Sequence, residues 1–235
     1  MSHFTVLVIG NEPEKQLEPF NEQIVMPRYV SKTKEQIISE AKKDIEDYTK
    51  SSYYTEFNAD PVKYREECKN EAHIKYLEET FPAKLSWTDE EIYNHEIEMY
   101  EPEEITPDGG VYSTYNPNSK WDWHQLGGRW AGQILVKEGV DYQQANFSWG
   151  WDDKDKNEVL KERRTDQALK KDIANLDDLV MFALLKDGVW YEKGEMGWFA
   201  IVTNGKDENQ WAEEFKKLIN ELPDDTLLSV YDCHI

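Results

Sequence analysis

Phe4-Thr5-Val6-Leu7-Val8-Ile9, closed by Gly10, is a nearly continuous apolar run. It reads as a strand buried on both faces, because its apolar residues do not alternate with polar ones. Its counterpart stands at the other end of the chain. Leu227-Leu228-Ser229-Val230-Tyr231-Asp232-Cys233-His234-Ile235 reads as a terminal strand. How these two segments pair decides the fold.

The residues between them supply the other elements. Asn11-Glu12-Pro13 marks a helix start, with Pro in the first turn, and a short helix runs through Leu17. Trp130, Gly132, Ile134 and Val136 alternate along a strand. Leu179 to Leu185 is an apolar run, Asp187-Gly188 signals a hairpin, and Val189-Trp190-Tyr191 is the return. Gly197 to Val202 is a further strand. Asp207-Glu208-Asn209-Gln210 opens a helix with Trp211, Phe215, Leu218, Ile219 and Leu222 on one stripe, and Pro223 ends it. This order predicts an α+β domain, a ferredoxin-like antiparallel sheet with helices on one face. In that topology the last strand lies antiparallel beside the first.

Residues 28–110 differ in character and are expected to form an acidic helical insertion into a core domain of residues 1–27 and 111–235. Ile37, Ile38, Ala41, Ile45 and Tyr48 make a helical stripe. Asp60-Pro61 is an N-cap followed by Pro at the first helical position. Thr88-Asp89-Glu90-Glu91 is a capping box. About three helices follow, with narrow apolar stripes that place them on a surface. From Asp89 to Asp108 there are nine Asp or Glu and no Lys or Arg. That run is either a solvated face or a contact surface for a basic host protein, with Glu98, Glu101, Glu103 and Glu104 as partner-binding candidates.

The 235 residues carry a formal net charge of −21, with 9 Trp and 13 Tyr to supply burial, so the chain is acidic and folded rather than disordered. The charge argues against direct nucleic-acid binding, which needs a basic face. It permits mimicry of nucleic acid, or simply keeps the protein in solution. Cys68 and Cys233 are far apart and suggest neither a disulfide framework nor a zinc finger. No basic segment precedes Phe4–Ile9, which is too short for a signal peptide or a membrane span. A cytoplasmic protein with no membrane contact is expected.

Chemistry is concentrated in Tyr115-Asn116-Pro117-Asn118-Ser119-Lys120-Trp121-Asp122-Trp123-His124-Gln125-Leu126-Gly127-Gly128-Arg129-Trp130. Trp faces and guanidinium groups stack on planar bases, and Arg also grips phosphate. Gly127-Gly128 would let backbone N–H groups approach an anion. Trp121, Trp123, His124, Gly127, Gly128 and Arg129 are therefore ligand-binding candidates, with Trp121 and Trp123 sharing a face if extended. Trp130 reads as core. Arg163 and Arg164 could close over a phosphate, or neutralise acids such as Asp155 or Glu158. His3, Asp232 and His234 form a second constellation. If the end strands pair antiparallel, His3 meets both, as a hydrogen-bonded strand end or as a metal site for hydrolysis; no spacing motif supports a metal, and none is expected. Asp122, Glu192 and Glu195 could pair for acid–base work. No P-loop, G-x-G-x-x-G or G-x-S-x-G is present, and no cofactor is expected.

Ser119-Lys120-Trp121-Asp122-Trp123 and Gly127-Gly128-Arg129-Trp130 resemble a family of uncharacterised proteins in bacteriophages and bacteria. The opening Met1-Ser2-His3-Phe4-Thr5-Val6, the ending Asp232-Cys233-His234-Ile235, Asp166-Gln167-Ala168 and Trp190 to Trp198 resemble it too. His124 stands where that family has tyrosine, and residues 28–110 have no match. The resemblance implies a phage-encoded accessory protein acting in an infected cell, with a counter-defence role. Together these readings lead to a protein that sequesters a nucleotide-like small molecule in an aromatic and arginine-lined pocket. The alternatives are an acidic inhibitor of a basic host protein and a metal-dependent hydrolase.

Overall fold

The computed structural model describes residues 2–148, 150–197 and 201–235. It divides into two compact units, Met1–Val25 with Tyr115–Ile235, and Met26–Thr114. Among the described residues, no helix is long and apolar enough to cross a membrane.

The first unit is built on a six-stranded sheet. Its strands are β1 (His3–Ile9), β2 (Trp123–Leu126), β3 (Gln167–Leu169), β4 (Ala183–Lys186), β5 (Val189–Glu192) and β6 (Leu227–His234). β1 and β6 pair antiparallel over their whole length, from His3 opposite His234 to Ile9 opposite Leu228. The pairing expected from the two terminal runs is therefore present, residue against residue.

The sheet is mixed, which corrects the expectation of an antiparallel one. β4 lies parallel to β1, with Val6 opposite Ala183 and Val8 opposite Leu185, and β5 turns back along the outer side of β4. An all-antiparallel sheet would need the returning strand of the hairpin beside β1. Burial explains the choice. Ala183, Leu184 and Leu185 are fully buried and suit a position covered on both faces, whereas Val189 is 48% exposed and suits an edge. The hairpin between them has left-handed φ at both Asp187 (53°) and Gly188 (75°), the type I′ geometry that matches strand twist.

Helices cover both faces rather than one. On one face Leu7, Ile9, Leu184, Leu228 and Val230 pack against Trp211, Phe215 and Ile219 of the Glu208–Asn220 helix. Asp207 caps that helix by accepting from the Asn209 and Gln210 amides. On the other face Phe4, Val6, Val8, Leu185, Tyr231 and Cys233 pack against Leu17, Phe20 and Trp121. Leu17 closes the short Pro13–Leu17 helix and Phe20 lies in the 3₁₀ turn after it. The period-two alternation of β1 and β6 supplies both cores.

β2 and β3 share one edge of β6. β2 runs along Tyr231–His234 and β3 along Leu227–Ser229. Where they part, the Val230 N–H donates to the Asp166 carbonyl, and the Gly127 N–H donates to the Val230 carbonyl. The strand expected from Trp130 begins only at Ile134, where Ile134–Leu135 pairs with Arg164–Thr165, because residues 129–132 form a turn. Trp130 is partly exposed in that turn rather than core. The mixed stretch 139–178 holds a helix, Asp153–Lys161, capped by Asp152. Glu195–Met196 pairs with Val202–Thr203. Trp198, Phe199 and Ala200, which the sequence reading placed in a strand, lie outside the described residues, as does Trp149.

The second unit, Met26–Thr114, is mostly helical. Its entry and exit are tied by a ladder of Tyr29–Lys32 with Val111–Ser113, so its boundaries fall a few residues outside 28–110. Lys34–Thr49 and Asp89–Ile97 begin with full capping boxes at Thr33 and Thr88. Between them are Ser52–Ala59, Pro61–Glu67, Glu71–Lys75 and further short turns. The helix expected onward from Asp60-Pro61 is thus broken, and Asn70 caps a new start. Ile37, Ala41, Phe57, Leu77, Phe81 and Ile92 are buried within this unit.

Candidate functional site

The motif 115–130 separates into structural and exposed parts. Asn116 is buried, and its amide donates to the carbonyls of Pro19 and Asn21. The Lys120 N–H donates to Phe20, and the Glu22 N–H to Trp121. This stapling sends Trp121 inward. Trp121 is only 6% exposed, and its indole N–H donates to the Leu17 carbonyl at 3.1 Å. It offers no face to a ligand. Trp123 is 45% exposed, and its ring meets His3, with centroids 6.1 Å apart. The two tryptophans thus belong to opposite faces, not one, because only Trp123 lies in β2.

His124 follows Trp121 to the inner side. Its ring sits between Trp121 (4.5 Å) and Tyr231 (5.4 Å), and burial depresses its pKa, with Glu14 opposing weakly. Its Nδ1 is buried without a partner. It does not join Trp123.

Gly127 and Gly128 are not an anion cradle. Both have left-handed φ, 71° and 62°. Their N–H groups are consumed internally, Gly127 by Val230 and Gly128 by Leu126 and Asn146. A Cβ on Gly127 would strike the Asp166 carboxylate, and one on Gly128 would come within 2.5 Å of the Asp232 Cβ. The double glycine exists to let the backbone pass two buried carboxylates. Asp166 accepts from the amides of Gly132 (2.6 Å) and Asn146 (2.5 Å), fastening loops that sequence alone did not connect. Burial raises its pKa, and those two amides pull it back.

Arg163 and Arg164 are also occupied. Arg163 donates to the carbonyls of Lys137 and Val140 and lies 4.9 Å from the Tyr142 ring centre. Arg164 pairs with Glu162 at 2.7 Å and donates to Gly132. Of the eight ligand-binding candidates, the geometry leaves Trp123 and Arg129 exposed and unabsorbed by the core.

Those two adjoin the constellation of the chain ends. His3 Nδ1 lies 2.8 Å from Asp232 Oδ1. The other carboxylate oxygen of Asp232 accepts the Arg129 backbone N–H at 3.0 Å. His234 Nδ1 lies 2.5 Å from Asp122 Oδ1. The two imidazoles meet edge to face with centroids 4.9 Å apart. Asp232 is fully buried, while the His3 and His234 side chains keep 15% and 14% of their exposure. The cause is the β1–β6 register, which sets His3 opposite His234, together with alternation, which turns Asp232 and His234 to one side. Asp122 was legible only as a loose carboxylate; its pairing with His234 depends on β2 lying beside β6.

The Arg129 side chain is exposed and makes no ion pair with a described residue. Lys120, by contrast, is paired with Glu192 at 2.7 Å, so Glu192 serves a salt bridge and not a carboxylate pair. Among the described residues, no group of three or more His, Cys, Asp or Glu side chains is arranged to hold a metal ion.

Two cavities are lined by other residues. A cavity of about 450 Å³ is lined by Val136, Tyr142, Gln167, Leu169 and Leu227 with Asp141 and Asp172. It has acid and no cation at its wall, which disfavours an anion. A second, of about 460 Å³, has one cation, Lys193, already paired with Glu208. The four partner candidates Glu98, Glu101, Glu103 and Glu104 are exposed in the second unit. Glu101 and Glu104 cap one another's turn, and the Glu103 carbonyl accepts from Arg28.

No family model matches the chain, and no curated protein or solved structure matches it.

Proposed function

We propose that this protein binds a nucleotide-like, phosphate-bearing small molecule at the surface where β1 and β2 begin and β6 ends, through Trp123 and Arg129. One observation carries the reading. In a chain with 48 acidic and 27 basic residues, Arg129 keeps an exposed guanidinium with no ion-pair partner among the described residues. A free cation amid so much acid is suited to an anion from outside. Its backbone is held by Asp232, the carboxylate that also holds His3, and the His3 ring meets the exposed Trp123. Trp123 supplies a face for a base, and Arg129 a two-pronged grip on phosphate. A phage-encoded protein with this property would withdraw a nucleotide defence signal in the cytoplasm of an infected cell.

The test is release of ligand from the protein purified out of a nucleotide mixture, followed by titration calorimetry. Trp123→Ala with Arg129→Ala should weaken binding at least tenfold, about 1.4 kcal/mol. Unchanged binding in the double variant would end this reading. A second reading has support from the run 89–108, where Glu98, Glu101, Glu103 and Glu104 are exposed, make no ion pair with a described residue and could meet a basic host protein. Charge reversal at those four would remove inhibition under that reading and leave nucleotide binding intact.

A further inference from the structure

We propose that the cavity beside β3 binds an aliphatic diamine, at residues that the nucleotide surface does not use. The cavity, of about 450 Å³, has the size of a small-molecule site. Val136, Leu169 and Leu227 give it an aliphatic wall, the Tyr142 ring adjoins them, and its charged groups are Asp141 and Asp172. An apolar wall takes up methylene groups, and a carboxylate takes up an ammonium group. A linear diamine presents both. The two aspartates supply one carboxylate for each end, where a monoamine would leave one of them without a partner.

The sheet topology opens this space. β3 pairs with β6 along one edge, from Leu169 opposite Leu227 to Gln167 opposite Ser229. Among the described residues, no strand pairs with its other edge. The cavity is shared by that short strand and by residues 140–143, which follow a turn at 137–140 where Gly139 has a left-handed φ of 80°. Val136, before the turn, is fixed by a bridge to Ile173.

A second, independent observation says what the cavity takes. The cations of the surrounding segments are committed to backbone carbonyls rather than to the two aspartates. Lys137 Nζ donates to Lys171 at 2.6 Å, and Lys170 Nζ donates to Asn220 at 2.9 Å and to Leu222 at 2.7 Å. The Arg163 guanidinium donates to Lys137 and Val140. Lys171 is exposed. Among the described residues, neither Asp141 nor Asp172 forms an ion pair. Two uncompensated carboxylates beside an apolar wall favour a cation from outside. The apolar wall selects an organic cation over a bare metal ion, for which no group of three or more His, Cys, Asp or Glu side chains is arranged among the described residues.

The experiment titrates the full chain by calorimetry with 1,5-diaminopentane, n-pentylamine and 1-pentanol, at neutral pH and about 0.15 M salt to screen distant surface charge. The diamine should bind roughly tenfold more tightly than the monoamine, and pentanol more weakly than either. Asp141→Asn and Asp172→Asn should each weaken the diamine roughly tenfold, toward the monoamine. A net charge of −21 attracts any cation, so Asp177→Asn with Asp178→Asn, at two exposed positions outside the cavity wall, is the charge control. It should change the affinity by less than about twofold. Equal losses in the control and the cavity variants overturn the site in favour of a general acidic surface. Pentanol binding as tightly as the diamine overturns the part given to the carboxylates. No diamine binding overturns the proposal and leaves the nucleotide reading untouched. Should an Asn variant fail to fold, NMR of the parent chain with 1,5-diaminopentane decides. Its methylenes must show contacts to the methyl groups of Val136, Leu169 and Leu227, and their absence overturns the site.

Discussion

His3 Nδ1 and Asp232 Oδ1 lie 2.8 Å apart across 229 residues of sequence, so one hydrogen bond ties the first strand to the last. The same carboxylate holds the backbone of Arg129. Asp232→Asn keeps the shape of this buried group but replaces one acceptor oxygen with a donor. Both contacts survive only if the new amide donates to His3 Nδ1, which forces that ring into its other neutral tautomer and replaces hydrogen bonds to a charged acceptor by neutral ones, a loss of about 1–3 kcal/mol. Chemical denaturation should show a loss in that range. A loss below about 0.5 kcal/mol would mean the carboxylate is not a structural tie.

Asp122 is the more exposed carboxylate, at 29% of its side chain, so its pairing with His234 adds little to folding, under about 1 kcal/mol. Asp122→Asn should therefore unfold close to the parent in denaturant, and a loss well above about 1 kcal/mol would make this pair a structural tie as well.

Gly128 and Gly139 offer a matched comparison. Both have left-handed φ, 62° and 80°. A Cβ on Gly139 would meet nothing within 4 Å, whereas one on Gly128 would meet the Asp232 Cβ at 2.5 Å. Gly139→Ala should therefore cost only backbone strain, about 1 kcal/mol. Gly128→Ala should cost distinctly more and also disturb the Asp232–Arg129 contact. Equal losses in denaturant melts would show that the approach to Asp232 is relaxed at no cost.

These residues also mark what the sequence disclosed. Phe4–Ile9 and Leu227–His234 are long and strongly apolar, so both read as strands; the ferredoxin-like element order implies their antiparallel pairing, and strand alternation then brings His3, Asp232 and His234 together. The neighbour of β1 on its other side did not follow. Both strands of the 183–192 hairpin are apolar, and only their degree of burial decides which one lies inside. Trp121 and Trp123 looked equivalent because spacing was read as if the chain were extended; Asn116 and Phe20 pin the segment so that β2 starts at Trp123. Gly127-Gly128 looked like an anion loop because a glycine pair records close approach without naming what approaches. Here it is Asp166 and Asp232, both distant in sequence.

The two thiols should react very differently. Cys68 is partly exposed, while Cys233 is fully buried on the inner face of β6, and burial, with Asp232 adding to it, holds its pKa well above the usual thiol range. Since the thiolate is the nucleophile, Cys233 should be inert in the native chain. A thiol reagent at neutral pH should label one cysteine quickly, and the second only as the chain unfolds. Fast labelling of both would place β6 in ready exchange with an open form.

Asp166 makes stability depend on pH in a direction opposite to most carboxylates. Burial raises its folded pKa above the ordinary 3.8, and the amides of Gly132 and Asn146 offset only part of that. The folded chain therefore binds this proton more tightly than the unfolded chain. The resulting stabilisation is fully present below pH 3.8 and is lost as pH rises through the elevated folded value. Other carboxylates change stability over the same window, so the comparison is between the parent and Asp166→Asn, which cannot titrate. At neutral pH the variant should lose about 1–3 kcal/mol, because its amide nitrogen faces an N–H that the carboxylate accepted. On acidification that deficit should not shrink, since the parent gains stability from protonating Asp166 and the variant does not. A deficit that closes as pH falls from 6 toward 4 would mean that the two amides, and not burial, set the ionisation of Asp166.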